Sequence, residues 1–392
     1  MSLSDKPFDI VVFGASGYTG RLVAEYLAAE YAGSDLKWAM AGRSLDKLAA
    51  VRAEMGISEA VELLAVDVDN PDSVTQMVDA CQVVITTVGP YQLYGDELVR
   101  QCAERGTDYV DLTGEPSWMH ETIAQYSSAA KASGARIVHS CGFDSIPFDL
   151  GVYRLQQHAI AKTGQPIATV KGRVRAMNGT FSGGTIASMR ATMASAKANP
   201  AIIQVLTNPF ALTEGFTGPE QPAGMAPQYD EELKSWSAPF IMAPINTKNI
   251  HRSNFLLGHQ YGEDFRYDEM LLTGDGDQGK AAADYVAKDD SVAKSDLQPG
   301  EGPTKEEREN GNYDAIFAGE TQDGELMISS VQGDRDPGYG STSKMLAEAA
   351  MCLLVTPDLA SGGLWTPAAA MGDALMARLQ EHAGLTFKIE KG

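Results

Sequence analysis

An apolar run followed by three evenly spaced glycines stands near the start of this chain. The run Ile10-Val11-Val12-Phe13 is apolar on both faces of a strand, which is typical of the middle of a sheet covered by helices. Gly14, Gly17 and Gly20 follow, and residues 21–32 have the apolar spacing of a helix. In this setting the glycines permit a tight turn, a close approach to a pyrophosphate and close helix packing, respectively. Because amides at a helix start bind phosphate, the stretch predicts a dinucleotide-binding turn, with a glycine-rich turn that binds nothing as the alternative.

The sequence then alternates strands with helices as far as residue 140. The predicted strands span residues 9–13, 36–42, 61–67, 82–88, 109–112 and 135–140. Right-handed crossovers leave few other topologies for such a pattern, so it predicts the α/β class with a doubly wound, parallel Rossmann-type sheet. The glycine turn occupies the first strand-to-helix connection of that sheet, which is where dinucleotides bind.

A second domain of the α+β type is predicted beyond the helix that starts near Ile146. Residues 169–176 alternate apolar side chains with Lys171, Arg173 and Arg175, which is typical of a half-exposed antiparallel strand. The apolar helix 341–355 is expected to return to the first domain. The predicted division is a Rossmann domain over 1–160, an α+β substrate or dimerisation domain over 161–338, and C-terminal helices and a strand over 339–392 that return to the first domain.

Residues 207–244 are rich in proline, glycine and aromatic residues and have no clear period. Long loops of this kind often cover functional sites. Large aromatic side chains in such a segment commonly form a binding surface. We therefore expect this loop to close over a substrate crevice. The aromatic residues concerned are Phe210, Phe216, Trp236 and Phe240.

The composition excludes several classes of partner. Fifty-two acidic and thirty-one basic residues give a net charge of −21, which opposes binding to nucleic acid or to anionic membranes. The N-terminal residues lack the pattern of a signal peptide, and no run approaches the roughly 18 apolar residues that cross a bilayer. A soluble, cytoplasmic protein with a small-molecule substrate is expected. Association into a homodimer stays open.

The four cysteines predict neither a metal site nor a disulfide framework. They are widely scattered and have no C-x-x-C spacing, so buried reduced thiols are expected and no metal is expected. The cysteines are Cys81, Cys102, Cys141 and Cys352.

Side chains at the ends of the second and third strands bear on cofactor choice. Arg43 stands roughly where sheets selective for NAD place an acidic residue on the ribose 2′-hydroxyl. A guanidinium suits a 2′-phosphate, and Ser44 could donate to the same group, so NADP is favoured over NAD. A solvated loop arginine is the alternative. Asp67 could accept a hydrogen bond from the adenine amino group.

The fourth strand leads into Gly89-Pro90-Tyr91 at the expected carboxyl edge of the sheet. Glycine and proline there let the backbone pass close to a ribose or nicotinamide, and Tyr91 could line the site. A tight turn with Tyr91 packed locally is equally compatible with the sequence. The predicted cofactor-binding residues are Gly14, Ser16, Gly17, Tyr18, Thr19, Arg43, Ser44, Asp67, Gly89, Pro90 and Tyr91.

Other polar residues follow the later strands, but none identifies a catalytic group. Asp111, Thr113, Gly114 and Glu115 end the fifth strand. His139, Cys141 and Asp144 surround the end of the sixth strand. His139 and Cys141 could suggest a thiolate nucleophile, but such a site needs a third, orienting group, so packing in the core is favoured. The turn 182–185 could hold a carboxylate or carbonyl through free amides, although a plain N-cap explains it as well.

The chain resembles the saccharopine dehydrogenase-like oxidoreductases, and in form it is most similar to the bacterial branch called trans-acting enoyl reductases. The segments that carry the resemblance are 14–20, 41–44, 87–91, 95–115, 141–151, 182–185, 336–340 and 366–372. The resemblance implies an NADP-binding sheet, an inserted α+β domain and hydride transfer, without fixing the substrate.

The resemblance leaves three functions open. The first is an NADPH-dependent reductase that acts on the C=C bond of an acyl or lipid-like substrate. The second is a saccharopine-type enzyme acting at a C–N bond of an amino acid, for which the basic candidates are Arg173, Arg175, Arg190 and Arg252. The third is a non-catalytic NADP-binding sensor, which the lack of an evident catalytic acid would favour.

Overall fold

A computed structural model describes residues 6–143, 145–180, 183–298 and 300–392 of the chain, without the side chains of residues 292 and 293. Asp144 and Ser182, which the sequence analysis considered, lie outside these residues. Two sheets organise the fold, and each has seven strands within the described residues.

The first sheet is parallel throughout and has the strand order β13-β6-β5-β4-β1-β2-β3. Its strands are β1 Phe8–Phe13, β2 Trp38–Gly42, β3 Glu62–Ala65, β4 Cys81–Thr86, β5 Asp108–Val110, β6 Arg136–Val138 and β13 Gly363–Trp365. The predicted doubly wound parallel sheet is thereby confirmed, with small shifts at the strand ends. The residues of β1 are almost completely buried, as its uniformly apolar sequence predicts.

Helices cover both faces of this sheet, and several of their ends follow local sequence signals. The helices are α1 Tyr18–Glu30, α2 Leu45–Glu54, α3 Pro71–Ala80, α4 Tyr91–Tyr94, α5 Asp96–Arg105, α6 Pro116–Ser133 and α7 Ile146–Thr163. Ser44 caps α2 by accepting a hydrogen bond from the amide of Lys47. Gly134 ends α6 in the left-handed region at φ 89°, which glycine adopts without a steric penalty.

The second sheet has the order β14-β12-β11-β7-β10-β9-β8. Its strands are β7 Thr169–Asn178, β8 Gln228–Asp230, β9 Ser235–Pro239, β10 Arg266–Gly274, β11 Asn312–Glu320, β12 Leu326–Gly333 and β14 Leu385–Lys391. β11 and β12 pair antiparallel and form a hairpin. β7 pairs antiparallel with β11 and parallel with β10, so the sheet is mixed. Arg173 within β7 is buried, although the alternation in the sequence predicted that it would be exposed.

The expectation of one long loop over 207–244 is wrong in part, because short elements interrupt it. β8, β9 and the start of α10 lie within this segment, and strands of three and five residues are too short to show a period in the sequence. The helices that follow α7 are α8 Gly183–Ala198, α9 Pro200–Thr207, α10 Ala243–Leu256, α11 Gly276–Val286, α12 Ser291–Lys294, α13 Lys305–Asn310, α14 Thr342–Val355 and α15 Pro367–His382.

The C-terminal part connects the two sheets. The predicted apolar helix α14 packs against α1, β4 and β5 of the first sheet. Its buried Glu348 accepts hydrogen bonds from Tyr26 at 2.8 Å and Tyr31 at 2.6 Å, and pairs with Arg378 of α15 at 2.7 Å. The last strand, β14, pairs with β12 of the second sheet, which corrects the expectation that it returns to the first domain. The domain limits at residues 160 and 338 stay predictions.

Charged side chains are buried within the second sheet. Arg173 and Asp268 form an ion pair with an N···O distance of 2.9 Å. Beside them, Glu269 accepts hydrogen bonds from the Tyr267 hydroxyl and the Asn246 amide, both at 2.7 Å. Burial raises the pKa of Glu269 from 4.5 to about 8. Burial therefore favours the protonated form of this carboxyl group in the folded protein.

We expect Glu269→Gln to change how stability depends on pH. Because the folded pKa of about 8 exceeds the ordinary 4.5, this group's contribution to stability is full below pH 4.5 and is lost as pH rises to about 8. At 1.36 kcal/mol per pKa unit, the wild type should lose up to about 5 kcal/mol relative to Glu269→Gln across that window. Urea unfolding at several pH values measures this difference. The control Glu263→Gln, at an exposed position, should show no such change; a wild-type profile parallel to that of Glu269→Gln would contradict the assignment.

Candidate functional site

A cavity of about 370 Å³ lies between the carboxyl edge of the first sheet and the elements around the second. The sheet edge contributes Thr19, Thr87, Gly89, Glu115 and Gly142. The opposite wall is mainly apolar and comes from the end of β7, from α8 and α9, and from the segment that leads into α10. Its apolar side chains include Met177, Met189, Met193, Leu206, Phe240, Ile241, Met242 and Ile245. The cavity therefore occupies the crevice where parallel sheets of this topology bind ligands.

The glycine turn at this edge has no room for larger residues. A Cβ atom at Gly20 would collide with the carbonyl oxygen of Gly14, so α1 can pack this closely only with glycine there. Gly14 has φ 88°, and a Cβ at that position would lie 2.8 Å from Thr87 Oγ1. No side chain among the described residues caps the first turn of α1. Its amides are therefore available to a pyrophosphate, and the turn fits a dinucleotide.

The residues of the turn have different environments. Gly17 is exposed and forms the N-cap of α1, which begins at Tyr18 and not at Arg21 as predicted. Ser16 lies beside β2, because a Cβ atom added at Gly42 would be 3.6 Å from the Ser16 hydroxyl oxygen. Thr19 lines the cavity. The Tyr18 side chain is directed elsewhere: its hydroxyl donates to the carbonyl of Pro303 and accepts from Arg308 at 2.9 Å. Only the Tyr18 backbone therefore remains available to a phosphate.

Arg43 lies at the carboxyl end of β2 beside this turn. Its side chain is exposed, and no hydrogen bond or ion pair to another described residue holds it. Ser44 is half-buried and already accepts the capping hydrogen bond, so its hydroxyl proton can still be donated. The Asp67 carboxylate accepts from the amide of Asp69 at 3.1 Å, which places it in a local turn. The position of Arg43 fits a 2′-phosphate, and this assignment stays a prediction.

Gly89, Pro90 and Tyr91 lie together at the end of β4, where the Gly89–Pro90 peptide bond is cis. Gly89 is exposed and lines the cavity. Tyr91 is buried, stacks on Trp118 with ring centroids 5.4 Å apart, and donates its hydroxyl to the carbonyl of Thr86 at 3.1 Å. Tyr91 therefore packs locally, while its ring edge still contributes to the cavity wall.

A polar connection between the two sides of the cavity could not be inferred from the sequence. Buried Glu115 accepts hydrogen bonds from the amides of Tyr91 and Gln92, both at 2.9 Å, and thereby holds the start of α4. The Gln92 side chain donates to Glu115 at 3.0 Å and to Thr192 of α8 at 3.1 Å, and accepts from Ser195 at 2.8 Å. One glutamine thus fixes α8 across the cavity.

His139 and Cys141 do not form a nucleophilic pair. His139 Nδ1 lies 2.7 Å from Asp111 Oδ2, and its other nitrogen lies 3.2 Å from Thr122 Oγ1. Cys141 is completely buried, its thiol contacts the carbonyl of Val138, and burial raises its pKa well above the ordinary value. The core-packing interpretation of these residues is confirmed.

Two hydroxyl groups lie close together in the cavity wall, and the sequence patterns do not indicate either of them as a reactive group. The Tyr339 hydroxyl lies 2.9 Å from Thr185 Oγ1, and both residues line the cavity. Tyr339 belongs to a π-helical turn, Pro337–Ser341. Segment 336–340 is one of those that carry the family resemblance. A sequence resemblance does not indicate which residues elsewhere in the chain this segment contacts.

Comparison with known proteins defines the class. Residues 10–138 match the model of the saccharopine dehydrogenase NADP binding domain. The structure of saccharopine dehydrogenase (L-Glu forming) from Saccharomyces cerevisiae has the same fold, with a TM-score of 0.55 and 12% identity over 97% of this chain and 99% of that one. The fold, the glycine turn and the matched domain define an NADP-dependent oxidoreductase.

Full-length relatives identify the family. A Mycobacterium tuberculosis H37Rv protein, provisionally named a trans-acting enoyl reductase, is 40% identical over 97% of both chains. A trans-acting enoyl reductase of Mycobacterium bovis BCG is 35% identical, again over 97% of both chains. The chain belongs to the trans-acting enoyl reductase family. No helix in the described parts of the chain is long and apolar enough to cross a membrane.

We expect Arg43→Ala to weaken NADPH binding and to leave NADH binding almost unchanged. A charge-assisted contact between a guanidinium and the 2′-phosphate contributes roughly 1.5 to 3 kcal/mol, or about one to two decades in affinity. Arg43→Lys should restore part of the loss, since lysine keeps the charge without the planar fork. Calorimetric titration of both cofactors measures these affinities.

The matched control for this experiment is Lys37→Ala. Lys37 is exposed just before the opposite end of β2, so the substitution removes the same charge away from the cofactor site. It should leave both affinities unchanged. Equal losses of NADPH and NADH binding in Arg43→Ala would show that the arginine supports the loop and does not contact the phosphate.

Proposed function

We propose that this protein is an NADPH-dependent reductase of the C=C bond in an acyl or lipid-like enoyl substrate. The observation that supports the proposal is the cavity itself, which has an apolar wall opposite the carboxyl edge of the first sheet. Methionines form much of that wall, and their flexible, polarisable side chains adapt to an acyl chain. The names of the full-length relatives support the same assignment.

In this proposal the residues of the protein bind and orient, while bound NADPH supplies the hydride. The amides of α1 hold the pyrophosphate, and Arg43 holds the 2′-phosphate. Gly89 leaves room for the nicotinamide at the cavity wall, because no side chain projects there. Met189, Met193 and their apolar neighbours receive the acyl chain and exclude water from the reacting bond.

The arginines considered for a dicarboxylic amino-acid substrate are all engaged away from the cavity. Arg173 pairs with Asp268, and Arg175 pairs with Asp314 at 2.8 Å and Glu390 at 2.6 Å. Arg190 donates to the carbonyl of Ser295, and Arg252 donates to the carbonyls of Leu212 and Leu364. None of these four lines the cavity. A C–N oxidoreductase acting on a saccharopine-like substrate is therefore disfavoured.

Incubation of the purified protein with NADPH and a panel of substrates tests the proposal. The panel contains enoyl thioesters of increasing acyl length, imines and saccharopine. We expect NADPH oxidation, followed by its absorbance, with enoyl thioesters. Turnover of imines alone would instead favour C–N chemistry, and NADPH binding without turnover would favour the sensor. A cytoplasmic location and a homodimer stay predictions.

We expect Met193→Glu to raise KM for long acyl chains and to leave short ones almost unaffected. Met193 lines the cavity and is 66% exposed, so the protein should tolerate the charge while the acyl chain does not. Since each buried methylene contributes about 0.8 kcal/mol, loss of one or two such contacts raises KM roughly fourfold to fifteenfold. Steady-state kinetics with thioesters of different lengths measures the effect.

Met225→Glu is the matched control for this substitution. Met225 is 74% exposed and does not belong to the cavity wall, so the same charge there should leave the kinetics unchanged at every acyl length. A uniform rise in KM for short and long substrates in Met193→Glu would argue against an acyl chain beside this residue.

A further inference from the structure

A row of hydroxyl groups crosses the cavity wall from the predicted nicotinamide position. A Cβ atom at Gly89 would lie 3.8 Å from Ser188 Oγ of α8. Thr185 is three residues before Ser188 on the same helix, and residues at this spacing are neighbours on one helix face. The Tyr339 hydroxyl then lies 2.9 Å from Thr185 Oγ1. Ser188 and Thr185 therefore lie on the part of α8 between the wall beside Gly89 and the Tyr339 phenol.

Tyr339 is held firmly in this position. The buried Asp336 carboxylate accepts hydrogen bonds from the amides of Tyr339 at 2.9 Å and Gly340 at 2.8 Å. The Tyr339 ring meets the ring of Tyr18 edge to face, with centroids 5.1 Å apart. Tyr18 begins the helix that binds the pyrophosphate, so the phenol and the cofactor-binding turn share one packed contact. Such contacts keep a reactive group in a defined geometry.

The other acidic groups in the described cavity wall are engaged differently. Both oxygens of Glu115 accept hydrogen bonds from α4 and Gln92, so this carboxylate anchors backbone. The Tyr91 hydroxyl donates to the carbonyl of Thr86. Ser188 and Thr185 are alcohols, which are much weaker acids than a phenol with its ordinary pKa of about 10. Tyr339 is therefore the best candidate for a proton donor in this wall.

We propose that Tyr339 is the catalytic acid of the reduction, with Thr185 as the residue that positions its hydroxyl. The inference rests on the proposed function. The substrate receives a hydride from NADPH at its β carbon, and the π electron pair of the C=C bond moves to the α carbon and the thioester oxygen. The Tyr339 O–H bond then breaks, and its proton forms the new C–H bond at the α carbon. The resulting phenolate accepts a hydrogen bond from Thr185 until a proton from water restores the phenol.

The test is Tyr339→Phe, assayed with the best enoyl thioester of the panel. General acids contribute about 10²- to 10⁴-fold to rates, so kcat should fall by that factor while KM and the Kd of NADPH change less than about twofold. Thr185→Val should lower kcat and shift the alkaline limb of its pH profile to higher pH, because the phenolate loses a hydrogen bond. Thr185→Ser should restore both.

The control is Tyr313→Phe, which removes a buried phenol that is bonded to Ser341 at 2.9 Å and does not line the cavity. It should retain wild-type kcat. Wild-type kcat in Tyr339→Phe, or a large loss in Ser188→Ala with none in Tyr339→Phe, would overturn the assignment of the acid and leave the reductase function intact. Absence of enoyl turnover by the wild type itself would overturn the proposed function, and this inference with it.

Discussion

The close approach of α1 to the turn after β1 is the constraint on which the rest of the structure depends. A side chain at Gly20 would collide with the carbonyl of Gly14, so glycine alone lets the helix begin directly above the end of the strand. This geometry places uncapped amides at the sheet edge and leaves space for a pyrophosphate. Tyr18, the first residue of α1, extends its side chain towards Pro303 and Arg308.

The Tyr18 side chain also connects the glycine turn to the part of the protein that forms the cavity. The Tyr18 ring packs against Tyr339, and on the other side Gln92 joins Glu115 to α8. The two walls of the cavity are therefore connected by an aromatic contact at the start of α1 and by side-chain hydrogen bonds of Gln92 at the start of α4. Both connections originate in short segments that follow strands of the first sheet. The conformations of the glycine turn and of the apolar wall should accordingly be coupled.

The sequence predicts the features whose causes are local. The glycine turn, the caps at Ser44 and Gly134 and the alternation that defines the parallel sheet all depend on residues close together in the chain. The burial of Arg173 does not follow from the alternation, because alternation indicates the two faces of a strand without indicating what covers each of them. The contact between Thr185 and Tyr339 joins positions 154 residues apart, so no local pattern predicts it.

The distribution of charge further constrains the chemistry of the cavity. The chain carries a net charge of −21, yet Glu115 is the one carboxylate among the described residues lining the cavity, and both of its oxygens accept hydrogen bonds from amide groups. The buried charges of the second sheet, including Arg173 and Asp268, pair with one another beneath the surface. An ionic substrate would therefore lose its hydration without gaining a counter-charge, at a cost of several kcal/mol. A neutral, extended acyl group loses little hydration and gains apolar contacts, so the chemistry of the wall agrees with the enoyl substrate that we propose.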